Sequence, residues 1–80
     1  MKHIKSDSTD FFSHDVKDDV TLQVIRLRKS KYHPVEEYMI GTENDMGGEH
    51  DETYTHWIRR DKLIAARDFL TEVIDLTETT

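Results

Sequence analysis

The chain has 80 residues, 35% of them hydrophobic and 35% charged, and its 11 Lys+Arg against 17 Asp+Glu give a net charge of −6 with five His counted neutral. That length allows one small domain with a thin core and excludes a two-domain enzyme or a large buried cofactor site. The lack of Cys removes disulfide scaffolds, Cys-based zinc and iron–sulfur sites and thiol nucleophiles.

No apolar run approaches the length of a bilayer span. The opening MKHIKSDSTD carries no signal-like apolar core, so a cytoplasmic protein with no membrane association is expected. Residues 1–19 set Ile4, Phe11, Phe12 and Val16 among Ser, Thr, Lys and five Asp with no sustained period, which predicts a flexible or partly docked arm. The Phe11–Phe12 pair is too apolar for a solvated tail and marks a possible extra N-terminal β-segment.

Val20–Arg28 is the best strand, with Val20, Leu22 and Val24 alternating against Thr21 and Gln23. The alternation blurs after Val24, which suggests a β-bulge near Val24–Ile25 or a second sheet face that is partly covered. Lys29–Pro34 is a turn, because Pro34 cannot donate to a ladder and restricts His33 before it. A second strand is expected over Val35–Thr42.

Glu43–Glu52 holds two glycines and five carboxylates and reads as a solvated loop. Thr53–Ile58, β-branched and aromatic, is the third strand, with Trp57 expected in the core. Leu63, Ala66, Leu70, Val73 and Ile74 then recur on one face of a helix over about Lys62–Leu76, with Asp61 as its N-cap. Asp68, Glu72 and Asp75 lie opposite and face water. Residues 20–76 form the predicted domain and 77–80 a polar tail. The fold class is α+β: a three-stranded antiparallel meander with one C-terminal helix on one sheet face.

An antiparallel meander follows from the short connections, and it fixes a charge layout. The ends of the first and third strands then share one edge of the sheet, which gathers Arg26, Arg28, Lys29, Lys31, Arg59, Arg60 and Lys62 there. The acidic segment Glu43–Glu52 and Asp15, Asp18 and Asp19 fall at the opposite edge.

No motif assigns chemistry. Glu43, Asp45, Glu49, Asp51 and Glu52 do not match the spacing of an EF-hand loop, and His50 and His56 lack the i, i+4 helical spacing of zinc enzymes. No Ser sits in a G-x-S-x-G turn. The expectation is therefore a non-enzymatic protein with no catalytic residues, metal or cofactor.

Two binding readings remain. The first is an acidic adaptor or inhibitor of the kind that suits a phage or mobile-element accessory protein. It would meet a basic surface on a larger protein, such as a nucleic-acid enzyme, through Glu43, Asp45, Glu49, Asp51 and Glu52, with Asp68, Glu72 and Asp75 as a second patch. The alternative is a single-stranded nucleic-acid module using Arg26, Arg28, Lys29, Lys31, Arg59 and Arg60, with Tyr32 for stacking; the overall negative charge weighs against it. Either is compatible with a homodimer, since so few elements leave sheet edges and faces open.

Overall fold

The structure, a computed structural model, describes residues 1–46 and 49–78, without the side chains of Met46, Glu49 and His50. It is α+β, an antiparallel sheet followed by a C-terminal helix. The described residues form six strands rather than three: β1 (Lys2–Lys5), β2 (Thr9–Lys17), β3 (Val20–Leu27), β4 (Glu37–Met46), β5 (Glu49–Tyr54) and β6 (Ile58–Arg59), then α1 (Arg60–Thr77). Strands β1 to β5 lie in chain order across the sheet, and β6 pairs with the start of β4.

The segment expected as an arm supplies β1 and β2. Its strands were hidden because neither face of β2 is uniformly apolar: the register puts Asp10, Phe12 and His14 on one face and Phe11, Ser13 and Asp15 on the other. Each face is completed by neighbours, not by its own sequence. Phe12 stacks on His3 at 4.4 Å between ring centroids and stands opposite Val24. Phe11 stands in a continuous cross-strand row with Ile4, Ile25 and Met39.

The expected loop Glu43–Glu52 is also corrected. β4 runs on to Met46 and β5 begins at Glu49, so the carboxylates are arrayed on a ladder with Glu43 opposite Glu52 and Asn44 opposite Asp51. The bulge expected near Val24–Ile25 is absent: β3 pairs residue for residue with β4 from Val20 to Leu27. The irregularity lies instead between Asp15 and Lys17 of β2, beside the turn where Asp19 takes φ 66°. Ile25 and Leu27 simply belong to the second face of the sheet.

The third expected strand is split between β5 and β6. Trp57 sits between them, 40% exposed rather than in a core. The helix begins slightly earlier than predicted, with Arg59 at its N-cap in extended geometry and no side-chain capping bond, and Asp61 in its first turn.

One sheet face carries Phe12, Leu22, Val24 and Ile40, and α1 approaches it through Leu63, Leu70 and Ile74 across an open groove of about 340 Å³. The core is as thin as the composition implies: Tyr38, 4% exposed, is the buried apolar side chain among the described residues, and Asp10, 3% exposed, the buried charged one. No described helix is long and apolar enough to cross a membrane.

Candidate functional site

The C-terminal end of β3, the start of β4 and the start of α1 meet at one edge, as the meander requires. Asp10 and Arg26 are registered opposite each other on β2 and β3, and Tyr38 of β4 completes the row. Arg28 Nη1 donates to Asp10 Oδ2 at 2.9 Å, Arg26 Nη1 lies 3.8 Å from the same oxygen, and His3 Nε2 lies 3.0 Å from Oδ1. Arg26 Nε donates to Glu36 Oε1, which also accepts the Tyr38 hydroxyl at 2.6 Å; Arg60 Nη1 donates to that hydroxyl at 2.9 Å. Arg28 Nη2 further donates to the Ser6 carbonyl.

The titration of these groups follows from their partners. The His3 contact is the main influence holding the Asp10 carboxyl below its ordinary value; burial opposes it, and the Arg28 hydrogen bond and charge add to it. Glu36 is lowered chiefly by the Tyr38 hydroxyl, again against burial, with Arg26 and Arg60 adding. Burial first, then Glu36, raises Tyr38. The hydrogen bond to Glu36 raises Arg26 further.

Three of the predicted nucleic-acid contacts, Arg26, Arg28 and Arg60, are therefore engaged by Asp10, Glu36 and Tyr38. Lys29 and Lys31 remain on the exposed turn after β3, where Lys31 Nζ lies 5.7 Å from the centre of the Tyr32 ring and Tyr32 is 89% exposed. Arg59 is exposed on β6. Asp10 and Glu36, which organise this edge, escaped sequence analysis because their arginine partners are 16 to 18 and 10 residues away in the chain. The trace in the sequence is that Asp10 and Arg26 each lie two residues from an apolar position of their own face, Phe12 and Val24.

The opposite edge is acidic and differently built. The Asp45 amide donates to the Asp19 carbonyl at 2.9 Å, which brings the β2–β3 turn against the β4–β5 ribbon. Asp15, Glu43, Asp45 and Glu52 share one face of the sheet by register, and Asp51 stands on the other. Asp45, Asp51 and Glu52 are exposed, as are Asp18 and Asp19. The side chain of Glu49 lies outside the described residues, as does that of His50.

At the base of this ribbon the Tyr54 hydroxyl donates to Gln23 Oε1, and Gln23 Nε2 donates to Glu43 Oε2, each at 2.5 Å. Burial raises Tyr54, and the charges of Glu52 and Glu43 raise it further, so negative potential is concentrated at this end. On α1, Asp68, Glu72 and Asp75 are exposed, and Asp68 Oδ1 lies 3.1 Å from Arg67 Nη2. Among the described residues no three His, Asp or Glu are grouped to hold a metal ion.

The chain matches no protein-family model, no curated protein and no solved structure. Function must therefore be argued from the site itself.

Proposed function

We propose that the protein is a small acidic interaction module whose β4–β5 ribbon and β2–β3 turn present carboxylates to a basic surface on a larger protein, as an adaptor or inhibitor does. The observation that carries this reading is the asymmetry between the two poles. At the basic pole, guanidinium groups of Arg26, Arg28 and Arg60 are held by Asp10, Glu36 and Tyr38. At the acidic pole, Asp18, Asp19, Asp45 and Asp51 stand in solvent around one backbone junction. Such a field steers a cationic partner and orients it on approach. Asp68, Glu72 and Asp75 extend the negative surface along the helix. A nucleic-acid enzyme is a suitable target class, because its own surface is built to meet phosphate.

The test is retention of partners from native lysate on the immobilised chain, with and without nuclease, by the wild type and by a variant carrying Asp45→Lys, Asp51→Lys and Glu52→Lys. Glu43 is spared because Gln23 bonds it. A nuclease-resistant protein released by salt and lost in the variant is the expected result. Equal retention by the variant rejects the ribbon as the contact surface.

A second reading rests on Tyr32, whose ring is 89% exposed between Lys31 and His33 and close to Lys29. That arrangement suits stacking on a single strand. Nuclease-sensitive recovery, abolished by Tyr32→Ala, would transfer the proposal to this turn.

A further inference from the structure

Helix α1 is apolar over far more of its circumference than one sheet contact requires. Advancing 100° per residue, Leu63, Leu70 and Ile74 point to the groove over Leu22, Val24 and Ile40. Ala65, Phe69, Val73 and Leu76 form a second stripe, at spacings of four, four and three. The two stripes join through Ala66 into an arc of about half the helix, whereas a helix lying on one surface needs about a 100° stripe. The second stripe is open: Phe69 is 62% exposed, Val73 40% and Leu76 68%. Even Leu70 and Ile74, on the groove side, are 58% and 56% exposed.

The total area says how much surface is missing a partner. The chain exposes 6611 Å², whereas a folded monomer of 9.5 kDa is expected to expose about 5,000 Å². The excess is about 1,600 Å², within the roughly 1,000–2,500 Å² that each subunit of an obligate dimer buries. The Cα radius of gyration, 14.7 Å, likewise exceeds the ~12 Å of a compact chain of this length.

We infer that the protein is a homodimer in which two copies of α1 pack antiparallel, stripe on stripe, through Ala65, Phe69, Val73 and Leu76. The occupant is a second copy for two reasons. The excess area is of the size that a stable dimer buries, and the exposed Phe69, Val73 and Leu76 contribute part of it on one continuous surface. The one charge on the line of the stripe is Lys62, seven residues before Phe69, which would repel the cationic partner proposed for the acidic pole, whereas a twofold axis across the stripe sets its apolar positions against one another. Asp68 and Asp75 stay outside the contact, while Glu72, about 20° from Ala65, borders it. This inference does not depend on the proposed function.

The experiment is sedimentation equilibrium of the full chain, with thermal melts in parallel. The wild type is expected at twice the 9.5 kDa of one chain, with a melting temperature that rises between about 2 and about 200 µM. Phe69→Glu with Leu76→Glu is expected at the monomer mass or unfolded, and Asp75→Lys, on the opposite side of the helix, at the wild-type mass. A wild type that is monomeric with a concentration-independent melt overturns the inference. So does a double variant that remains dimeric, or an Asp75→Lys variant that dissociates.

Discussion

Replacing Gly41 with Ala tests the base of the acidic ribbon. A Cβ at Gly41 would lie 2.1 Å from Cδ1 and 2.4 Å from Cε1 of Tyr54, and 2.8 Å from the Thr53 carbonyl oxygen. The register explains the crowding: Tyr54, Gly41 and Gln23 are consecutive across β5, β4 and β3, and the Tyr54 ring crosses the bare glycine to reach Gln23. Carbon atoms pack at about 3.5–4 Å, so the ring would have to move by more than an ångström. Overpacking of this kind costs about 1–3 kcal/mol, and loss of the Tyr54–Gln23 bond adds about 0.5–1.5 kcal/mol. A total of about 1.5–4.5 kcal/mol follows, and with a urea slope near 1 kcal/mol/M for so small a chain the midpoint should fall by about 1.5–4.5 M. Tyr54→Ala should cost less in the Gly41→Ala background than in the wild type, leaving the part due to Thr53. A midpoint unchanged or raised by Gly41→Ala, as the backbone entropy of glycine alone would give, refutes the reasoning.

Asp10 and Glu36 both have folded values below their ordinary ones. The stability they contribute is therefore fully present above the unfolded values near pH 4 and is lost as pH falls through the folded values. Unfolding followed by circular dichroism should steepen below about pH 4, and Asp10→Asn should lower stability at neutral pH while flattening that acid limb; an unchanged acid slope in the variant would count against the network. At the β2–β3 turn, Asp19 holds φ 66°, so Asp19→Gly should stabilise by about 0.5–1 kcal/mol, read as a higher urea midpoint, while a lower midpoint would show that the Asp side chain contributes more than its backbone strain costs.

Legibility in the sequence tracked how local the deciding physics is. The helix was readable because Leu63, Leu70 and Ile74 recur at its own period, and β3 because Val20, Leu22 and Val24 alternate. The convergence of Arg26 and Arg28 with Arg60 followed from strand direction alone. What sequence reading missed was settled across strands. β2 is a strand because His3, Val24 and Arg28 complete its mixed faces, and no window of its own sequence contains them. The acidic ribbon was read as a loop because carboxylates and glycines disfavour strands, although a Gly-Gly pair, which two-residue hairpin connections favour, stands at 47–48 between its strands.

The helix supplies the remaining step in the electrostatic argument. Cations are unfavourable at a helix N-terminus and carboxylates at its C-terminus, by about 0.3–1 kcal/mol each at exposed sites. α1 nevertheless opens on Arg59, Arg60 and Lys62, with Asp61 the one carboxylate of its first turn, and closes on Asp75 and Glu78, with no basic residue in its last turn. Its start lies beside Tyr38 and its later turns over Leu22, so it runs from the basic edge toward the acidic one. The negative end of its macrodipole then adds to the field of the carboxylates, and the positive end to that of the arginines. Solubility alone asks only for net charge; it does not ask that charge be sorted to opposite ends of the molecule at a cost to the helix. A surface that must orient a charged partner before contact does ask for that. The aligned dipole and its cost to α1 therefore favour a binding role for the acidic pole over a merely solvating one.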